Sequence, residues 1–210
     1  MSALPLTISA AVEGIVDEAV IRRLLLDTGA LSGTVYVTSG KTNLKQKVNG
    51  YNHAARRFPW IVLIDLNHEA DCAPALRARW LPSPSQLMCF RVAVREVEAW
   101  LLADRKRMSH FLGVPLAKVP QHADSLDNPK RTIVDLARRS RFRDLREDMI
   151  PRPASGRSEG PAYASRLIEF AGQHWRPSIA EKSSDGLRRC REAIDALGAA
   201  WDAFTRRSRG

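Results

Sequence analysis

Acids stand where apolar runs end. Pro5-Leu-Thr-Ile-Ser-Ala-Ala-Val12 runs into Glu13, and Trp60-Ile-Val-Leu-Ile64 runs into Asp65. Leu87-Met-Cys-Phe-Arg-Val-Ala-Val94 is followed by Arg95, Glu96 and Glu98. The continuous apolar run Trp60–Ile64 reads as a strand buried on both faces, and residues 5–12 and 87–94 read as further strands. In a parallel sheet their carboxyl ends share one edge, where open α/β sheets gather their chemistry. Carboxylates that converge repel one another and are expensive to desolvate, and a divalent cation is the usual compensation. A donor set of oxygens alone favours Mg²⁺ or Mn²⁺. Such an ion activates water and neutralises charge on a phosphate. The competing reading makes each acid a helix N-terminal charge or an ion-pair partner. Residues two apart do not share a helix face. Of Glu96 and Glu98, therefore, either one points into the site, with Glu96 the first choice, or the helix begins between them.

Lys41 lies in Ser39-Gly40-Lys41-Thr42 after another strand-like run and is a candidate phosphate contact. The stretch is no P-loop, because the upstream glycine is missing at the required spacing. His68 adjoins Asp65 and reads as structural or solvent-facing.

The elements that must position these residues follow in order. A helix over about 16–27 carries Val16, Ala19, Val20 and Leu24 on one face, with Asp17 and Glu18 in its first turn and Gly29 as its stop. Residues 34–38 are a strand by β-branched and aromatic content. Leu44, Val48, Tyr51, Ala55 and Phe58 then mark an amphipathic helix stopped by Pro59. A short helix is expected from Pro74 to Trp80, and another begins at about 95. This alternation predicts an α/β fold with a mainly parallel four-stranded sheet flanked by helices. After Asp104 strand signals cease. Helices are expected at 129–139, at 161–173 and over a final stretch with Leu187, Cys190, Ile194, Leu197, Trp201 and Phe204 on one stripe, capped by Ser183 or Ser184. The division is an α/β domain over 1–112 and a basic, mainly helical C-terminal extension over 113–210 packed on it.

Net charge is +10 and unevenly placed. Residues 1–104 carry 11 Lys+Arg against 10 Asp+Glu, and residues 105–210 carry 22 against 13. The excess in the second half points to nucleic acid, with Arg138, Arg139 and Arg141 as candidate backbone contacts. No apolar run approaches bilayer length and the first residues lack a basic n-region, so a cytoplasmic protein without membrane contact is expected. Cys72, Cys89 and Cys190 form no C-x-x-C pair, which argues against a zinc ribbon or disulfide framework and for reduced, buried thiols. Trp60, Trp80 and Trp100 read as core.

Val12-Glu13-Gly14 and Ile64-Asp65-Leu66-Asn67 resemble the Toprim superfamily, which includes topoisomerases, bacterial primases and OLD-type nucleases. The stretch from Phe90 through Glu96, Glu98 and Trp100 to Asp104 resembles more closely the signature of a small Toprim-like family of bacterial mobile and defence gene neighbourhoods. The likeness covers residues 5–112 and extends loosely to Gly160-Pro-Ala-Tyr163 and the final helices. It implies that Glu13 is a general acid or base, that Asp65 is the first acid of a D-x-D metal motif, and that Glu96 and Glu98 are its E-x-E. Position 67 would hold the second acid, yet it is Asn67, which offers a carbonyl oxygen but one charge fewer; Glu69 and Asp71 are the alternative acids. The implied function is a Mg²⁺-dependent nuclease in phage defence. The alternative is a non-catalytic nucleic-acid-binding or regulatory partner with a degenerate metal site. A neighbouring ATPase or a homodimer is the implied protein partner.

Overall fold

Trp60–Asp65 forms β3, and its side chains divide strictly by parity. Ile61 and Leu63 enter one hydrophobic core, whereas Trp60, Val62 and Ile64 enter another. Successive strand side chains point to opposite faces, so an unbroken apolar run can be satisfied only by covering both faces. This computed structural model describes residues 6–67 and 72–207. His68, Glu69 and Asp71 lie outside the described residues.

The four strands β1 (Thr7–Val12), β2 (Leu31–Val37), β3 and β4 (Met88–Ala93) form one all-parallel sheet of order β2-β1-β3-β4. Helices α1 (Ile15–Asp27), α2 (Lys41–Ala54) and α3 (Ala73–Trp80) provide the crossovers. The smaller core lies beneath α2 and α3, where Leu44, Val48, Leu76 and Trp80 meet the sheet. The fold is the expected one: α/β, with helices on the sheet and a helical C-terminal part. Register aligns Val12 with Leu63, and Asp65 with Ala93, so the strand ends stand level.

Beyond β4 the chain is helical: α4 (Val97–Ala103), α5 (Arg105–Leu112), α6 (Pro129–Ala137), α7 (Arg143–Met149), α8 (Tyr163–Glu169), α9 (Pro177–Ala180) and α10 (Asp185–Arg207). The helix expected over 161–173 starts at Tyr163 and widens into a π-helical segment over Phe170–His174. In α10, Leu187, Cys190, Ile194 and Leu197 are buried, and the Ser184 hydroxyl accepts from Leu187 N at 3.2 Å as the cap.

This helical part shares the larger core with α1 and the sheet, rather than building a separate one. Two polar clips seat it. Trp175 Nε1 donates to Trp100 O at 3.1 Å, and Arg176 grips the buried Asp104 carboxylate through Nε at 2.9 Å and Nη2 at 2.7 Å. Trp60, Trp80 and Trp100 are core, as expected. Cys89 and Cys190 are buried free thiols, whereas Cys72 is exposed, because it begins α3 at the rim instead of facing the sheet. Among the described residues no helix is long and apolar enough to cross a membrane.

Leu63 has no exposed surface in the centre of β3. Leu63→Ala is expected to lower unfolding free energy by about 2–5 kcal/mol in denaturant titration. Leu26→Ala, on a side chain 67% exposed, is expected to change it by about 0.5 kcal/mol or less.

Candidate functional site at the carboxyl edge

The strand ends bring the acids together through backbone donors. Glu13, just past β1, accepts from Asp65 N through Oε1 at 3.0 Å. Asp65, at the end of β3, accepts from Val97 N through Oδ1 at 3.0 Å and so caps α4 from another part of the chain. Glu96 is the extended residue before α4 and accepts from Lys130 N through Oε2 at 3.0 Å, at the first turn of α6. The helix does begin between the paired glutamates. Glu98, one residue into α4, is 4% exposed, with Tyr163 Oη at 3.4 Å and Lys130 Nζ at 3.8 Å.

A further acid belongs here. Asp17 is buried in the first turn of α1 and accepts from Gly14 N through Oδ2 at 2.8 Å. Sequence spacing gives Asp17 the ordinary look of a helix N-terminal acid, so its second position, in the field of Asp65, is a product of tertiary folding. Gly14 is extended, with φ −136°, which any residue adopts. A Cβ here would stand 3.2 Å from the Asp17 carboxylate, a tight contact that the carboxylate would have to yield to.

Burial pushes the Asp65 carboxyl well above the usual carboxylate range, and the negative charges of Asp17, Glu98, Glu13 and Glu96 push it further. Burial raises Asp17 to about 6, against the Gly14 hydrogen bond that lowers it. Burial also raises Glu98 to about 7, with Lys130 opposing and Glu96 adding to the rise. The same acids act on their partners. Burial pulls the Lys130 ammonium down, but Glu98, Glu96, Glu159 and Asp65 outweigh it and hold the group above its ordinary value. Burial, then Glu98, keeps the Tyr163 phenol protonated far above its normal range, as suits a donor to Glu98. Neither Lys130 nor Tyr163 carries a chemical signal of its own in the sequence; Tyr163 stands out there only as the end of Gly160-Pro-Ala-Tyr163.

Lys41 begins α2 and reaches across to β3, donating through Nζ to Asp65 O at 2.5 Å. Asn67 takes φ +49° and Arg95 φ +64°, and the two residues clasp each other: Asn67 N donates to Arg95 O at 2.9 Å and Arg95 Nη1 to Asn67 O at 3.1 Å. Asparagine tolerates this left-handed conformation better than most residues. Of the four non-glycine residues with positive φ among those described, Ser39, Asn67 and Arg95 follow β2, β3 and β4. Strain of this kind collects at functional sites.

The all-oxygen donor set suits a hard divalent cation. The contacts of Asp65 and Glu96 with backbone N–H groups each use one carboxylate oxygen. The acids share one electrostatic field but not one coordination sphere: among the described residues no three His, Cys, Asp or Glu side chains are grouped to hold a metal ion. The candidate arginines divide. Arg138 lines a cavity beside Glu96, and Arg139 and Arg141 line a different one with Lys106 and His110. No protein-family model, curated protein or solved structure matches this chain.

Folded Glu98 holds a proton that the unfolded chain releases between pH 4.5 and about 7, so its contribution makes stability fall as pH rises through that window. Relative to Glu98→Gln, the metal-free wild type is expected to lose about 3 kcal/mol of unfolding free energy from pH 4.5 to pH 8. Parallel denaturation curves for the two proteins would refute this.

Proposed function

We propose that this chain is a Mg²⁺- or Mn²⁺-dependent nuclease that cleaves phosphodiester bonds of nucleic acid in the cytoplasm, in a Toprim-like setting and in the service of phage defence. One observation carries the reading: Glu13, Asp17, Asp65, Glu96 and Glu98, brought from separate segments, crowd one sheet edge until Asp65 resists ionisation. A structural network would gain little from such crowding, whereas a cation site is relieved by its ion.

Glu13, Asp65, Glu96 and Glu98 would supply the donors, with the Asn67 carbonyl as a neutral one. They are not gathered into one coordination sphere, and Glu13, Asp65 and Glu96 would have to turn from their backbone N–H partners to share a cation. The bound ion supplies charge neutralisation at the phosphate and an acidified water. Glu13 moves the proton, being fixed by its hydrogen bond from Asp65 N. Lys41 brings its Nζ to the edge through its bond to Asp65 O, where a phosphate oxygen would lie. Arg138, Arg139 and Arg141 contact the backbone, and a neighbouring ATPase or a second copy is the protein partner that the Toprim-like resemblance suggests.

A second reading has its own support. Asn67 removes a carboxylate, and the remaining acids are spread over backbone donors instead of gathered. A non-catalytic Toprim-like module that binds nucleic acid or regulates a partner would tolerate both.

Calorimetric Mg²⁺ titration near pH 6.5 separates the two. On the nuclease reading Mg²⁺ binds and releases protons from the raised carboxyls, so the heat depends on the buffer's ionisation enthalpy. Mg²⁺ or Mn²⁺ then supports cleavage of DNA or RNA, and Glu13→Gln or Asp65→Asn reduces the rate by 10²-fold or more. No heat at millimolar metal, or variants as fast as wild type, would favour the binding module.

A further inference from the structure

Next to the acidic edge lies a cavity of about 490 Å³ whose lining is basic. Glu96 forms one wall. Lys130 and Arg131 project from α6, Arg138 is the residue that caps its end, and Arg157 comes from the loop after α7. The four cations face two carboxylates, Glu96 and Asp135. Asp135 approaches Arg131 at 3.8 Å and Arg138 at 3.5 Å, but the side chains are 80%, 52% and 57% exposed for Arg131, Arg138 and Asp135. Exposed pairs of this kind are worth about 0–1 kcal/mol, so they yield readily to a stronger anion.

Two features narrow the ligand. The volume falls within the roughly 300–1,000 Å³ of pockets that enclose one small ligand, which suits a nucleotide unit and not the body of a duplex. No aromatic side chain lines it, so it offers no platform for stacking bases. Recognition is left to charge on the sugar–phosphate backbone, which carries no sequence information.

We infer that this cavity is the strand-holding subsite of the acidic edge. It binds backbone phosphates of a single-stranded polynucleotide through Lys130, Arg131, Arg138 and Arg157, without regard to sequence, and delivers the adjoining phosphodiester to the wall formed by Glu96. The inference rests on the phosphodiester reading of that edge. It also separates Arg138 from Arg139 and Arg141, which face another cavity.

The test is fluorescence anisotropy in metal-free buffer across a salt series. The probes are a short labelled single-stranded oligonucleotide and its duplex, with a mononucleotide as competitor. Arg138 and Arg157 are exposed, so their loss spares the core. The wild type is expected to prefer the single strand for unrelated sequences alike. Arg138→Ala with Arg157→Ala should weaken binding and flatten the slope of log K against log salt by about 0.7 per arginine. Arg206→Ala with Arg207→Ala removes the same charge from the end of α10 and should leave the slope unchanged. The inference is overturned if the cavity variant keeps wild-type affinity and slope, if the Arg206/Arg207 variant loses as much, or if duplex or mononucleotide binds as tightly as the strand. Cleavage by each variant keeps the two readings distinct. Wild-type binding by the cavity variant, with cleavage still lost in Asp65→Asn, sinks the subsite alone. Lost binding in the cavity variant, with full cleavage in Asp65→Asn, sinks the acidic-edge chemistry.

Discussion

Mutual repulsion among buried and half-buried carboxylates is the constraint that shapes this edge, and backbone N–H groups contain it. Glu13 binds the amide of Asp65, Asp65 that of Val97, and Glu96 that of Lys130, spanning 52, 32 and 34 residues of chain. A hydrogen bond to a carboxylate favours its charged form, while burial and like charge oppose it. At Asp65 the opposing effects win, since its carboxyl is raised despite the bond to Val97 N. The acids are therefore well positioned yet poorly compensated. The same three bonds tie the end of β1 to β3, β3 to α4, and the start of α4 to α6, so the edge is assembled only when segments from β1 to α6 have come together.

The backbone adds its own strain there. Ser39, Asn67 and Arg95 adopt left-handed conformations immediately past three strands, and Arg95 has neither the small size of glycine nor the short polar side chain of asparagine. Each such residue costs on the order of 1–3 kcal/mol. Two cores that cover both faces of β3 over-determine the strands and keep these turns in place. Lys41 shows how the second layer contributes: α2 is seated by Leu44 and Val48, and that seating carries the ammonium across β1 to the carbonyl of Asp65.

β3 was legible because its apolar run leaves no alternative to burial on two faces. β2 was legible from β-branched and aromatic content although it is half exposed. Parallel pairing aligned the acids at the carboxyl ends of β1, β3 and β4. Glu13, Asp65, Glu96 and Glu98 could be placed at one edge for that reason alone. Asp17 was not, because an acid in a first helical turn already has a sufficient local reason to be there. Lys130 and Tyr163 come from α6 and α8, which meet the start of α4 through tertiary contacts such as Lys130 N with Glu96 and Tyr163 Oη with Glu98, and no periodicity encodes those. Neighbouring arginines also read as one basic cluster in sequence. The end of α6 turns Arg138 toward Glu96 and Arg139 elsewhere, since successive residues on a helix diverge by about 100°.

Asn67 bears on function less simply than a missing ligand would. A second aspartate beside Asp65 would join an edge that already holds Glu13, Asp17, Glu96 and Glu98, where Asp65, Asp17 and Glu98 resist ionisation. Charge added to such a site is partly wasted, because protons take it up before a cation can. Asparagine keeps an oxygen donor and the tolerance for φ +49° while adding no further repulsion. On the phosphodiester reading, Asp17 supplies negative charge in the field of Asp65, so the total is redistributed rather than lost. What decides cation binding is then whether the glutamates of α4 can leave Lys130 for the ion. Lys130 is attached to Glu98 by a 3.8 Å ion pair and to Glu96 by its backbone amide. The first contact is long and easily exchanged. The second is anchored in the turn that opens α6, and it is the contact a bound cation must either share or break.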